Sequence, residues 1–304
     1  MRVVWVPFRL DRADVPDDVH VDVWDGSGDG PPSVAEVEMY VVPYMVGDAA
    51  LAPIASMASL RVLQTLTAGY DDVLPRLPPG VVLCNAAGVH DASTAELAVT
   101  LALASTSGVP ELVRAADAHT WVSTRRRALA DRRVLIVGYG GVGTAVLRRL
   151  SGFEVELVPV ATRARDEAGL RVRGVDELPA LLPTADVVVL CLPLTETTRG
   201  MVDAAFLAQM RDGALLVNVA RGAIVDTQAL LAELRTGRIT AALDVTDPEP
   251  LPADHPLWDA PGLLLTPHVG GNSTAFPPRA QRLVVEQLRR FAVDEPLLGV
   301  VAGP

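Results

Sequence analysis

In residues 134–150, VLIVGYGGVGTAVLRRL, four apolar residues run into a glycine-rich turn and then into a helical pattern. Gly138, Gly140 and Gly143 are spaced as Gly-x-Gly-x-x-Gly. Between a strand and a helix, such glycines allow a tight turn, close approach of the backbone to a phosphate, and close helix packing. The helix N-terminus adds free N–H groups for phosphates. The stretch therefore predicts a dinucleotide-binding unit.

Short apolar runs on both sides of this turn predict further strands, because they alternate with helical or turn-rich sequence. In the second half of the chain they lie at residues 155–160, 187–191, 215–219, 241–245 and 263–266. With the strand before the glycine turn, they predict a six-stranded, doubly wound parallel sheet. The first 95 residues contain similar runs at residues 2–6, 39–42, 60–66 and 81–84. These runs predict a second, smaller α/β unit.

A chain of 304 residues is expected to form two domains, because a single hydrophobic core usually stops growing near that size. Ser93 and Glu96 fit a capping box at the start of a long helix. Residues 279–291 have a helical period and are expected to return to the first domain. We predict a discontinuous substrate-binding domain, residues 1–95 with 272–304, and a dinucleotide-binding Rossmann domain, residues 96–271.

Composition and charge argue against several classes of partner. No apolar run is long enough to span a membrane, and the N-terminal run is interrupted by Pro7 and Arg9 without a cleavage site. We therefore expect a cytoplasmic protein with no membrane partner. The net charge of −11 argues against a nucleic-acid partner. Cys84 and Cys191 lie in apolar runs, which favours buried thiols over a metal site.

The chain contains no lysine, so all 26 basic residues are arginines. This excludes Schiff-base enzymes, pyridoxal-phosphate enzymes and P-loop proteins, which depend on a lysine amine. It also excludes dehydrogenases that use a catalytic lysine, such as the 3-hydroxyacid dehydrogenases.

The far end of the second strand of the dinucleotide-binding domain predicts which cofactor is preferred. An NAD-specific site places Asp or Glu there to hold the ribose hydroxyls. This chain instead has Thr162, Arg163 and Arg165. Guanidinium groups at that position suit a 2′-phosphate. We predict that NADP is preferred and that NAD is also usable; the alternative is that both arginines are ordinary solvated loop residues.

Three segments that follow predicted strands carry Arg221, Glu249 and His268. Because doubly wound sheets bind ligands beyond the carboxyl ends of their strands, these side chains are expected to converge. A histidine is a natural general acid for reducing a carbonyl near neutral pH, and a carboxylate beside it stabilises its protonated form. An arginine can bind a substrate carboxylate and developing negative charge. The three form the predicted catalytic set for a 2-keto acid.

Several motifs together resemble those of the D-isomer-specific 2-hydroxyacid dehydrogenases, and of glyoxylate and hydroxypyruvate reductases in particular, over nearly the whole chain. They are Gln64-Thr-Leu-Thr-Ala-Gly69-Tyr-Asp71, Asn85-Ala-Ala-Gly-Val-His90, Ser93-Thr-Ala-Glu96, the glycine turn, Leu192-Pro-Leu-Thr195-Glu-Thr-Thr198 and the three catalytic segments. The resemblance implies two Rossmann-like α/β domains with doubly wound parallel sheets and the active site in the inter-domain cleft. It also implies an NAD(P)-dependent oxidoreductase of D-2-hydroxy and 2-keto acids, and a homodimer.

The resemblance assigns roles to single residues. His268 is implied as the proton donor, Glu249 as its partner and Arg221 as the substrate anchor. Backbone groups of Ala68 and Gly69 are implied to hold the substrate carboxylate. Asp244 is implied to contact the nicotinamide carboxamide. The full set of expected cofactor-binding residues is Gly138, Gly140, Gly141, Val142, Gly143, Thr162, Arg163, Arg165, Pro193, Thr198, Val219, Asp244 and Gly270.

Single residues bear on whether the chain has one of the other functions known for this architecture. Formate dehydrogenases have a glutamine where Glu249 stands, which argues against that activity. A phosphite dehydrogenase-like enzyme, which keeps the arginine, glutamate and histidine, stays open, as does a dinucleotide-sensing corepressor. The sequence departs from the family before Pro110, where many relatives carry an arginine. Residues 42–47 are expected to face the substrate side chain, but the sequence does not predict which acid binds.

Overall fold

A computed structural model describes residues 1–303, which separate into two compact units. Unit 1 contains Met1–His90 and residues 274–303, and unit 2 contains Asp91–Ser273. The long helix at the first boundary begins at Asp91, so Ser93 lies inside its first turn and the predicted capping box is wrong. The Glu96 carboxylate instead accepts a hydrogen bond of 3.1 Å from Arg149.

Unit 1 is a six-stranded sheet in the order β14-β5-β4-β3-β1-β2, with only β14 antiparallel to its neighbour. Its strands are β1 (Arg2–Val6), β2 (Val19–Val23), β3 (Val37–Val41), β4 (Val62–Gln64), β5 (Val82–Cys84) and β14 (Val300–Ala302), and its helices are α1 (Asp48–Leu51) and α8 (Phe276–Ala292). Helix α8 buries Val284 and Leu288 against the strand residues Val4 and Met39. The four predicted strands form. The edge strands β2 and β14 were not predicted, because β2 is interrupted by polar residues and the apolar run of β14 is only three residues long.

Unit 2 is an eight-stranded sheet in the order β13-β12-β11-β10-β6-β7-β9-β8, in which only β8 is antiparallel. Its strands are β6 (Arg132–Val137), β7 (Val155–Ala161), β8 (Arg165–Glu167), β9 (Leu170–Gly174), β10 (Val187–Leu190), β11 (Leu215–Asn218), β12 (Thr240–Leu243) and β13 (Leu263–Leu265). Its helices are α2 (Asp91–Ser107), α3 (Val109–Asp117), α4 (Gly141–Leu150), α5 (Leu178–Leu181), α6 (Ala204–Gln209) and α7 (Thr227–Thr236). All six predicted strands form, and the predicted fold class of two Rossmann-like α/β units is confirmed.

Two features of unit 2 differ from the sequence-based expectation. The hairpin of β8 and β9 extends the sheet beyond the six predicted strands; β8 is fully exposed and polar, so it has no apolar pattern. The predicted long helix is divided into α2 and α3 at Gly108, which adopts a left-handed φ of 66°. Glycine reaches that conformation at little cost, so the helix ends there.

Both cysteines are free thiols. Burial raises the pKa of the Cys84 thiol to about 11, so it is protonated at neutral pH and packs as a small apolar side chain. Within residues 1–303, no helix combines the length and the apolar character needed to cross a membrane. In the same described residues, no three His, Cys, Asp or Glu side chains are grouped in a way that could hold a metal ion.

Candidate active site

The predicted cofactor-binding residues all lie at the carboxyl-end edge of the parallel sheet of unit 2. Residues 138–143 follow β6, residues 162–165 follow β7, Pro193 and Thr198 follow β10, Val219 follows β11, Asp244 follows β12, and Gly270 follows β13. Parallel strands end at a common edge, and the loops at that edge bind ligands in doubly wound sheets. The topology therefore brings residues from 138 to 270 to one edge of this unit.

The glycine turn has the geometry that its spacing predicts. Gly138 has a φ of 103°, and a Cβ there would lie 2.6 Å from the Cys191 carbonyl group. A Cβ on Gly143 would lie 1.9 Å from the Gly138 carbonyl oxygen, so the helix packs directly on the turn. A Cβ on Gly140 would meet no atom within 4 Å, which leaves its outer face open. Gly140 is the N-cap residue of α4 and has no side chain of its own to cap the first N–H groups of the helix.

The two arginines at the end of β7 differ in their surroundings. The Arg165 Nε donates to Glu167 Oε2 at 2.8 Å, and its guanidinium carbon lies 5.7 Å from the ring centre of Tyr139. The Arg163 side chain is exposed, and no group within residues 1–303 forms a hydrogen bond or ion pair with it. The hairpin of β8 and β9 thus supplies a carboxylate, that of Glu167, which would compete with a ligand for Arg165. It supplies no such group for Arg163.

The loop after β10 is a compact turn closed by hydroxyl groups. Thr198 Oγ1 donates to the Pro193 carbonyl oxygen at 2.7 Å and accepts from the Thr195 N–H at 2.8 Å. These bonds connect the two predicted cofactor-binding residues of this loop, Pro193 and Thr198. The loop is therefore shaped by side chains from its own sequence motif.

His268 and Glu249 are in direct contact: His268 Nδ1 and Glu249 Oε1 form a short hydrogen bond, and both side chains are about one-third exposed. His268 adopts a left-handed φ of 52°, a conformation that costs a non-glycine residue about 1 kcal/mol. Its backbone N–H donates to the Asp244 carbonyl oxygen at 2.7 Å. Because Nδ1 faces the carboxylate, Nε2 is the ring nitrogen available for a substrate.

The buried Asp244 carboxylate fastens the loop that carries His268. Its oxygens accept hydrogen bonds from Thr266 Oγ1 at 2.6 Å and from the N–H groups of Val269 and Gly270, each at 2.9 Å. Three bonds leave a carboxylate with about one further acceptor position, which is what a carboxamide N–H would need. Sequence reasoning gave Asp244 only a cofactor contact and missed this loop-fastening role, which has no local signal.

Arg221 follows β11 in a turn that Asn218 holds. The fully buried Asn218 side chain donates to the Arg221 carbonyl oxygen at 2.9 Å and accepts from the Ala220 N–H at 3.0 Å. Arg221 Nη1 in turn donates to the Ala220 carbonyl oxygen at 2.9 Å. Sequence reasoning missed Asn218 as a functional support. A signal was present, since an asparagine side chain commonly hydrogen-bonds backbone groups a few residues away and so closes a turn.

In unit 1, Ala68 and Gly69 lie in the loop after β4 and are half-buried. Their backbone N–H groups donate to no group within residues 1–303. Unpaired donors at the carboxyl end of a parallel strand form a natural site for an anion.

The chain is similar to known proteins over most of its length. The sequence profile of the D-isomer specific 2-hydroxyacid dehydrogenase NAD binding domain matches residues 99–270. A glyoxylate/hydroxypyruvate reductase B of Citrobacter koseri is 34% identical over 224 residues, which cover 70% of this chain and 69% of that protein. A human glyoxylate reductase/hydroxypyruvate reductase is 32% identical, covering 71% and 69%. A D-isomer specific 2-hydroxyacid dehydrogenase of Xanthobacter autotrophicus, solved with NADPH and MES, superposes with a TM-score of 0.80 and 29% identity, covering 99% of this chain and 98% of that one.

Proposed function

The chain belongs to the D-isomer-specific 2-hydroxyacid dehydrogenase family and is an NAD(P)-dependent oxidoreductase, and on this premise we propose that it reduces small 2-keto acids with His268 as the general acid. The contact between His268 Nδ1 and Glu249 Oε1 carries the proposal, because it orients the ring so that Nε2 is left for the substrate. Glyoxylate and hydroxypyruvate are the proposed substrates, since the similar reductases of Citrobacter koseri and of humans are named for them.

The chain's own residues bind the acid and move the proton. A bound nicotinamide dinucleotide supplies the hydride to the carbonyl carbon. His268 donates a proton from Nε2 to the carbonyl oxygen, while Glu249 balances the charge of the imidazolium. The Arg221 guanidinium pairs with the substrate and stabilises negative charge that develops on that oxygen. The backbone N–H groups of Ala68 and Gly69 hold the carboxylate.

The substitution His268→Asn tests the proton-donor role. Turnover with glyoxylate or hydroxypyruvate should fall about 10²- to 10⁴-fold, the usual contribution of a positioned general acid, with an unchanged Kd for NADPH. His20→Asn is the control, because His20 is exposed on the edge strand β2, where it pairs with Asp22. At position 268 the substitution is mild even though the backbone has a φ of 52°. Asparagine tolerates that conformation better than most residues. Near-parent turnover in His268→Asn would show that His268 is not the proton donor.

The preference for NADPH over NADH is the second part of the proposal. The unpaired Arg163 guanidinium supports it, with no carboxylate between residues 161 and 165 to bind the ribose hydroxyls. A charge-assisted hydrogen bond is worth roughly 1.5 to 3 kcal/mol, so Arg163→Gln should lower kcat/KM for NADPH about 10- to 100-fold. The value for NADH should not change. Arg148→Gln, which also removes an exposed arginine, is the control. A parent enzyme that favours NADH would contradict the preference.

The third part is that the chain forms homodimers through α3 and the segment after it. Helix α3 has no buried residue, Val113 is 53% exposed, and Trp121 is 96% exposed. Large exposed apolar side chains are typical of protein interfaces, and a two-fold symmetric pair would cover both copies of this surface at once. Sedimentation equilibrium should show a dimer that Trp121→Ser weakens and that Val293→Ser, a similarly exposed apolar position, leaves intact. A monomeric parent would contradict the proposal.

A further inference from the structure

Three successive carbonyl groups of the loop after β4 all accept hydrogen bonds. The Thr67 carbonyl oxygen accepts from the Ala86 N–H at 2.8 Å. The Ala68 carbonyl oxygen accepts from Asn85 Nδ2 at 2.7 Å, and the Gly69 carbonyl oxygen accepts from Thr67 Oγ1 at 2.6 Å. Each peptide group in this loop therefore has a fixed oxygen.

Fixing the Thr67 and Ala68 oxygens also fixes the N–H groups that the substrate carboxylate is proposed to meet. The only cis peptide bonds within residues 1–303 lie elsewhere, at Pro248 and Pro250. In a trans peptide the C=O and N–H bonds point in opposite directions. The Ala86 bond to the Thr67 oxygen therefore sets the direction of the Ala68 N–H. The Asn85 bond to the Ala68 oxygen sets the direction of the Gly69 N–H, which lies in the same peptide plane.

The Asn85 side chain is itself held in place on both sides. Asn85 is 8% exposed, and its Oδ1 accepts from the Ala87 N–H at 3.3 Å. Its backbone N–H donates to the Gly299 carbonyl oxygen at 2.9 Å, and its own carbonyl oxygen accepts from Gln64 Nε2 at 3.1 Å. An amide that is buried and bonded at these points has little freedom to rotate.

A pair of fully buried glutamines continues this network to helix α8. Gln287 Nε2 donates to Gln64 Oε1 at 2.5 Å and to the Leu298 carbonyl oxygen at 3.0 Å, and Gln287 Oε1 accepts from the Leu298 N–H at 2.9 Å. Residues from positions 64, 85 and 287 thus form one chain of amide hydrogen bonds. The chain ends at the Ala68 carbonyl oxygen.

We propose that Asn85 is a positioning residue for the substrate carboxylate: through the Ala68 carbonyl group it aims the Gly69 N–H at the carboxylate, and the Thr67 hydroxyl holds the next peptide. The proposal rests on the proposed function, in which Ala68 and Gly69 bind that carboxylate. All 2-keto acids share the carboxylate, so disturbing Asn85 raises KM for each of them by a similar factor. The proton donor and the cofactor site are left unchanged.

The test uses Asn85→Asp, which is nearly isosteric and keeps the Oδ1 acceptor for Ala87. The second oxygen replaces the donor and faces the Ala68 carbonyl group. KM should rise about 10-fold for both glyoxylate and hydroxypyruvate, and the inhibition constant of the carboxylate inhibitor oxamate by the same factor. The parent kcat, to within about 3-fold, and the parent Kd for NADPH should be retained. A purely structural role would not produce this split between KM and kcat.

A second pair of variants covers the case in which Asn85→Asp does not fold. Thr67→Val keeps the shape but removes the hydroxyl that bonds to the Gly69 oxygen. The peptide group after Gly69 is then free to turn, which loosens Gly69 itself and should raise KM for both acids about 3-fold. Thr67→Ser keeps the hydroxyl and should restore the parent value. Equal KM values in Thr67→Val, Thr67→Ser and the parent would overturn the proposal, as would a folded Asn85→Asp with the parent KM. A parent that reduces no 2-keto acid would instead overturn the proposed function, and this inference with it.

Discussion

Two loops of this molecule expose backbone N–H groups at the end of a parallel strand, and they are shaped in opposite ways. The glycine turn after β6 depends on side chains that are absent, since a Cβ on Gly138 or Gly143 would lie 2.6 or 1.9 Å from backbone atoms. The loop after β4 depends on side chains that are present, because Asn85 and Thr67 hold the carbonyl groups of Ala68 and Gly69. Local steric contacts therefore shape the glycine turn, whereas side-chain hydrogen bonds shape the loop after β4. One of those hydrogen bonds comes from Asn85, which follows the neighbouring strand β5.

The difference shows two ways of orienting the same chemical group. A helix N-terminus has unpaired N–H groups by construction, so glycines only have to let the ligand and the helix come close. A loop without a helix has no such built-in direction, and its peptide groups must be turned individually by hydrogen bonds to their oxygens. We therefore expect the glycine turn to fail abruptly on substitution and the hydrogen-bonded loop to fail in steps.

The largest effect is expected from Gly143→Ala. The added Cβ would need space that the Gly138 carbonyl oxygen occupies, and forcing an atom into packed backbone costs about 3 kcal/mol. The Kd for NADPH should rise roughly 100-fold, because that strain displaces the turn or α4. Titration of NADPH fluorescence measures it, with thermal unfolding recorded in parallel. Parent-like affinity would show that this turn tolerates a side chain, contrary to the abrupt failure expected of it.

A smaller effect is expected from Gly140→Ala. A Cβ there meets no protein atom within 4 Å, so the unfolding free energy should fall by no more than about 1 kcal/mol, the cost of alanine at a helix N-cap. The Kd for NADPH should nevertheless rise about 10-fold, since the methyl group would occupy space near the pyrophosphate. Gly152→Ala, another glycine with open space and no positive φ, is the control. Unchanged NADPH binding would mean that the pyrophosphate does not approach Gly140.

A graded effect in the other loop is expected from Gln287→Leu. The substitution leaves the buried Gln64 Oε1 without its donor, which should lower the unfolding free energy by about 2 kcal/mol. KM for the keto acids should rise only about 3-fold, because Gln287 reaches Asn85 through Gln64. Gln281→Leu on the same helix is the control, since the half-buried Gln281 side chain forms no hydrogen bond within residues 1–303. An abrupt loss of keto-acid binding in a folded Gln287→Leu would contradict graded failure.

The smallest effect is expected at the end of β7, where a charged side chain rather than the backbone is proposed to recognise the cofactor. Glu167→Gln should release Arg165 and tighten NADPH about 3-fold, because an exposed ion pair is worth less than about 1 kcal/mol. NADH affinity should stay at the parent value. Glu156→Gln, which breaks a similar pair with Arg133 at the other end of β7, is the control. Equal changes in the affinity for NADPH and for NADH would show that Glu167 does not affect recognition of the 2′-phosphate.

Patterns within a short window of sequence predicted the strands of both sheet centres and the glycine turn. Continuous apolar runs mark strands buried on both faces, and β6 and β10 to β13 form as expected. The exposed hairpin of β8 and β9 was missed, because polar strands at a sheet edge have no such run. That hairpin carries Glu167, so the unequal surroundings of Arg163 and Arg165 were also beyond sequence reasoning.

The family and the two-unit α/β fold follow from the sequence itself, because they depend on motifs whose members lie within about ten residues of one another. The residues proposed for hydride transfer come from the same motifs. Tertiary structure alone decided which groups hold those residues: Asp244 fastens the His268 loop, and Gln287 reaches Gln64 across 223 positions. The physical reason is that a side-chain hydrogen bond needs only two atoms near 3 Å, whatever their separation in sequence. It therefore has no periodicity or spacing, and becomes visible only when the sheets bring its partners together.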